Sequence, residues 1–221
     1  MNFLALCQGV HREGGVSGSG LTTTVSQAGI LLKIVEWTNR AYQDIQKLHD
    51  DWDFRQSSKN FQTISGTGEY LSQVSDVNKV DTEKVTSYLT TTGVGDERQL
   101  WFIDFDRFHK AFLVGTQNDS TPEYFTIGND GALIFGPVPD AAYTVTFYYT
   151  KTIDALSGNT DIPILPSDYH EIIQWKACIY YAKYLENENL MQMFRENYRE
   201  SLKAMRLTQR AKMVLASRPL I

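Results

Sequence analysis

The chain has 221 residues, 42% of them hydrophobic and 12% aromatic, with a formal net charge of -5. That composition excludes a disordered or low-complexity protein, and a chain of this size can bury roughly 70% of its unfolded surface without disulfide or metal staples. Its two cysteines, Cys7 and Cys178, lie far apart in apolar contexts outside any CxxC and are expected to be buried reduced thiols; no apolar run reaches the length of about 18 residues that a membrane span needs.

Residues 2–12 are expected to form a short helix. Asn2 can cap it, and Phe3, Leu6, Cys7 and Val10 share one side. The stretch has a short apolar run but no basic segment ahead of it, so it is not read as a secretion signal. EGGVSGSGLTTT follows. From Gly15 it has the spacing of a phosphate-binding P-loop, with Leu21 where lysine belongs. Leucine cannot reach a phosphate with charge, and HRE, not a strand, precedes the glycines. The stretch is therefore read as a flexible connection that lets the short helix swing against the rest of the chain.

A long amphipathic helix is expected over about 26–49. Ile30, Ile34, Trp37, Ala41, Ile45, Leu48 and Trp52 recur at spacings of 4, 3, 4, 4, 3 and 4, with charged residues on the other side. Glu36 and Arg40 stand at i,i+4 in the favourable order. Truncating a buried Trp37 to alanine is expected to cost about 3–5 kcal/mol.

From Phe61 to Ile153 the residues favour strands. The expected strands are Phe61–Ile64, Tyr70–Val74, Val85–Thr91, Leu100–Ile103, Tyr124–Ile127, Ala132–Phe135 and Tyr143–Tyr149, with one helical turn at DRFHKAF. Asn129-Asp130-Gly131 marks a hairpin. Trp101, Phe102, Tyr124, Phe147, Tyr148 and Tyr149 fit a small β core with cross-strand pairs, or a stacking platform for sugars or bases.

IPILPSDYHE ends the strand region: prolines stop it, and Asp168 with Glu171 resembles a capping box. A helix follows from Tyr169 to Glu186 with apolar residues on two sides, then a last helix from Leu190 to Leu215. Leu190, Phe194, Tyr198, Leu202 and Met205 form the inner stripe of that last helix. From Arg195 to the end the chain carries seven basic and two acidic residues, +5, so the preceding residues carry -10. An acidic body with a basic end meets two different surroundings, unless the arginines are only a solvated helix face.

No catalytic or metal constellation emerges. His11, His49, His109 and His170 lack ligand spacing, and His170 is read as a surface or capping neighbour. Asp50, Asp51 and Asp53 read as a polar helix end, Asp104 and Asp106 as surface acids, and there is no G-x-S-x-G. The expected protein is not an enzyme and takes no cofactor or metal.

The fold class is α+β: an antiparallel helical bundle from residues 1–58 and 156–221, interrupted by a small antiparallel β domain at 59–155. Ile34, Trp37, Ala41, Ile45, Trp52, Ile173, Tyr180 and Phe194 are the expected bundle core.

In order along the chain, GGVSGSG, GILLKIVEWTNRAYQDIQKLHDDWDF, GALIFGPVPDAAYTVTFYYTK and DIPILPSDYHEIIQWKACIYYAKY resemble the tailed-bacteriophage head-to-tail adaptor (connector) proteins. Trp37, Asn39, Ala41, Tyr42, Ile45, Gln46, Trp52 and Phe54 carry the match in the second piece. The resemblance implies a structural virion protein of the neck, assembled in the host cytoplasm. It implies a ring, commonly dodecameric, beneath the portal, which extends the DNA channel and meets tail or neck proteins. It also implies that the C-terminal segment docks on the portal, through Arg206, Arg210, Lys212, Arg218 and Leu220. An acidic body suits a channel that passes genomic DNA without sequence-specific binding, and the two-sided helix 169–186 suits a subunit interface. Two other readings stay open: a nucleic-acid-binding protein that uses the basic last helix, and a glycan-binding tail module built on the aromatic strands.

Overall fold

The computed structural model describes residues 1–115 and 117–209. The chain has an α+β fold that divides into two compact units. One is Met1–Arg55 with Ile153–Ile221, and the other is Gln56–Thr152.

Four helices build the first unit: α1 (Phe3–Glu13), α2 (Gly29–Gln46), α4 (Glu171–Tyr184) and α5 (Glu188–Gln209). Asn2 caps α1 by accepting the Ala5 N–H at 2.9 Å, as its side chain allows. The start of α2 falls three residues later than the apolar period suggests. Ser26 (φ 57°) and Gly29 (φ 58°) have left-handed backbone, and a right-handed helix cannot begin before them. Asp168 and Glu171 do not form a capping box. A single 3-10 turn, Ser167–Tyr169, precedes α4 with no side-chain cap, and the Glu171 carboxylate instead accepts the Ser201 hydroxyl at 3.2 Å. Before α5, Asn187 accepts the Leu190 N–H at 3.1 Å.

One apolar cluster joins these helices. It buries Ile34, Ala41, Ile45, Trp52, Ile173 and Phe194, along with Phe3, Leu6, Cys7, Val10, Leu21 and Tyr42. Trp37 and Tyr180 are half-buried at its rim. The Trp37 ring lies 6.2 Å from Tyr181 and 5.6 Å from Tyr184. The apolar residues all round α4 have a simple cause: α1, α2 and α5 all pack on it. The short helix α1 is fixed in this core, and its swing is not seen. Phe3, Leu6, Cys7 and Val10 are all buried, and Gly9 lies so close to Gln174 that a Cβ would meet the amide at 2.3 Å.

The second unit holds two four-stranded sheets, ordered β1-β8-β3-β4 and β2-β7-β6-β5. The strands are β1 (Gln56–Gln62), β2 (Glu69–Tyr70), β3 (Val77–Leu89), β4 (Arg98–Gln99), β5 (Trp101–Phe102), β6 (Tyr124–Ile127), β7 (Leu133–Gly136) and β8 (Tyr143–Lys151). A short helix α3 (Phe105–Phe108) and a π turn (His109–Leu113) follow β5. All pairs are antiparallel except β5 with β6, which is parallel.

The sequence expectations differ from this in several places, the first being β1, which begins at Gln56, five residues before the expected Phe61, and ends at Gln62. Tyr70–Val74 is strand only at Tyr70, and Ser72–Val74 is a 3-10 turn. β3 begins eight residues before Val85 and bulges between Val80 and Val85. Leu100 divides its expected strand, so that β4 joins one sheet and β5 the other. The hairpin at Asn129-Asp130-Gly131 forms between β6 and β7, with Gly131 at φ 87° and the Asp130 carboxylate accepting the Ala132 N–H. Val85, Val145 and Phe147 from the first sheet share a core with Phe125, Leu133 and Phe135 from the second.

Candidate functional site

Among the described residues, no group of three or more His, Cys, Asp or Glu side chains is placed to hold a metal, and no helix is long and apolar enough to cross a membrane. Leu21, which occupies the lysine position of the P-loop spacing, is buried in the helical core. Its carbonyl accepts the Gln8 side-chain amide at 2.8 Å, and no helix begins until Gly29. A P-loop needs a helix N-terminus directly behind the glycines; here the loop folds back on α1. Cys7 and Cys178 are buried free thiols, and burial pushes both up to about 12. Neither is a ready nucleophile.

Within the helical unit, α2 side chains grip the segment 154–164 that leads to α4. Tyr42 donates to Asp154 at 3.0 Å and accepts the Ile164 N–H at 3.1 Å. Gln46 exchanges two bonds with the Asp154 backbone, and Asn39 accepts the Leu156 N–H at 2.9 Å. Burial, ahead of the Asp154 charge, pushes the Tyr42 hydroxyl well above the usual phenol range. Trp52 donates to the Ile45 carbonyl and the buried Arg55 to the Gln46 carbonyl, which ties the chain end after α2 back onto that helix. Asn39, Tyr42 and Gln46 are thus polar at helical spacing on α2, and Trp52 is aromatic beyond it, because each anchors a particular backbone group.

His170 is buried and not a surface neighbour. Its Nε2 meets the Leu165 carbonyl at 2.8 Å and its Nδ1 the Met1 amine at 2.7 Å. These partners require the neutral Nε2–H tautomer, and burial, followed by the amine charge, holds the ring below its ordinary value. No local sequence pattern announces this site, because its partners come from the Leu165 backbone and the far end of the chain.

Two exposed surfaces remain. On α5, Arg195, Arg199, Lys203 and Arg206 are exposed on one flank. Of the residues expected to dock on a portal, Arg206 lies here, and Arg210, Lys212, Arg218 and Leu220 fall outside the described residues. In the β unit the aromatics separate. Phe147 and Tyr149 are core, whereas Trp101 and Phe102 on β5 are 60% and 40% exposed. Trp101 and Tyr124 line an open groove of about 400 Å³ with Arg98, Gln99, Pro122 and Glu123. Such a groove offers apolar area with a polar rim, the composition of a protein contact.

The SU10 adaptor protein family matches residues 1–220. The chain belongs to that family. It is a phage head-to-tail adaptor, a structural component of the virion neck. No individual curated protein matches it.

Proposed function

We propose that this adaptor assembles as a dodecameric ring beneath the portal, extends the DNA channel, and joins the capsid to tail or further neck proteins. The family match over residues 1–220 carries this reading. The ring acts without catalysis and is assembled in the host cytoplasm. Genomic DNA passes through it without sequence-specific binding, consistent with a net charge of -5 and with the strong phosphate binding that a basic lining would impose.

Portal contact is assigned to Arg206, Arg210, Lys212, Arg218 and Leu220. Arg206 supports this: it is exposed on the last described turns of α5, one position beyond the buried Met205. The β5 face with Trp101 and Phe102 is assigned to tail or neck partners. The direct test is a chain that lacks residues 206–221. It keeps its helical content and melting behaviour, since α5 residues up to Met205 supply the buried stripe, and loses binding to purified portal rings. Undiminished binding by the truncated chain sinks the portal assignment. Tight, steeply salt-dependent binding of the full chain to duplex DNA would favour the nucleic-acid reading instead.

A further inference from the structure

A second stripe on α5 is not used by its own core. Met193, Asn197, Glu200, Ala204 and Leu207 recur at spacings of 4, 3, 4 and 3 on one flank. Met193 and Leu207 are 46% and 73% exposed, Leu207 more than any other large apolar side chain among the described residues. Beside this stripe Trp175 and Glu171 of α4 wall an open groove of about 400 Å³ shared with Asn197, Glu200, Ser201 and Ala204. The Ser201 hydroxyl, bonded to Glu171, pins that wall, and the Trp175 ring is backed by Phe194 at 6.3 Å.

The opposite flank of α5 carries Arg195, Arg199 and Lys203, all exposed. The charges are sorted by sign. The three basic residues follow one another at i,i+4, and so do Glu196 and Glu200. Same-sign pairs at that spacing cost an isolated helix about 0.2–0.5 kcal/mol each. Glu196 and Arg199, and Glu200 and Lys203, stand three residues apart, yet among the described residues none of these five side chains forms an ion pair. Within its own chain the helix keeps three same-sign pairs at i,i+4: Arg195 with Arg199, Arg199 with Lys203, and Glu196 with Glu200. A helix whose basic flank meets the acidic flank of a neighbour recovers the cost.

We propose that a second copy of this chain lays Arg195, Arg199 and Lys203 along the stripe and groove formed by Met193, Glu200, Leu207 and Trp175. The two faces differ, so the contact is heterologous and repeats from copy to copy; this rests on the ring reading for its closure. The aliphatic stems of the arginines and lysine cover Met193 and Leu207 while their heads reach Glu200 and the Trp175 face. Duplex DNA fits the basic flank but leaves the apolar stripe uncovered and sets Glu200 beside phosphate.

The test uses the full chain bound to portal rings, with two charge reversals, E200R and R199E, whose circular dichroism matches wild type. Each variant alone forms closed rings at about one tenth of the wild-type yield or less, the loss that about 1.4 kcal/mol produces. An equimolar mixture of the two restores closed rings, because the arginine introduced in one variant then faces the glutamate introduced in the other. Both variants closing as well as wild type, or a mixture that stays open, overturns the proposal while leaving the ring intact as a reading. R199E binding portal or DNA poorly, with no rescue in the mixture, assigns the basic flank to that partner instead. Wild type that forms no ring removes both readings.

Discussion

The Tyr42 hydroxyl satisfies two groups at once, the Asp154 carboxylate and the Ile164 N–H. Tyr42→Phe keeps the ring's packing and removes both bonds; the exposed Asp154 carboxylate turns to water while the Ile164 N–H loses this acceptor, so unfolding free energy is expected to fall by about 1 kcal/mol in urea titrations. The tryptophans make a matched comparison. Trp52 is fully buried and Trp37 half-buried. Trp52→Ala is therefore expected to cost about 3–5 kcal/mol, and Trp37→Ala measurably less. Equal losses would contradict the burial argument. His170 sets a pH dependence. Its folded value lies below the ordinary 6.5, so the unfolded chain takes up the proton first as pH falls. The contribution is present above the unfolded value and is lost as pH drops through the folded one. Stability measured from about pH 8 down to about pH 5 should decline for wild type and stay flatter for His170→Gln.

At the scale of elements, the β6–β7 hairpin turns on Gly131, whose φ of 87° disfavours any side chain. Gly131→Ala is expected to destabilise the β unit by about 1–3 kcal/mol and leave the helical unit unchanged. Hydrogen exchange localised to residues 124–136 checks it. The four helices of the helical unit were legible because each buries one stripe, or in α4 nearly every side, and hydrophobic period reports that directly. β1 was not legible before Phe61. QSSKNFQ is polar because β1 is an edge strand whose residues alternate between half-buried and exposed. The first half of β3 was hidden by the charges of its bulge, Asp81, Glu83 and Lys84, which turn outward. The functional surfaces divide similarly. The basic flank of α5 could be read from composition, but the acidic groove on its other side needs Trp175 and Glu171 from α4, which sequence spacing does not bring together.

At the scale of the whole molecule, charge is unevenly placed along the chain, with +5 on residues 195–221 and -10 on those before them. Acidic and basic residues are both distributed over the two units, and Arg195, Arg199, Lys203 and Arg206 share one exposed flank of α5. On the ring reading proposed above, such an uneven surface suits an acidic body that does not hold DNA and a basic end that holds protein. Electron micrographs of purified portal rings incubated with the full chain test this account most directly. The account predicts a closed ring of adaptor subunits, coaxial with the portal and continuous with its channel. Portal rings that stay bare, at concentrations where the adaptor is folded, would contradict it.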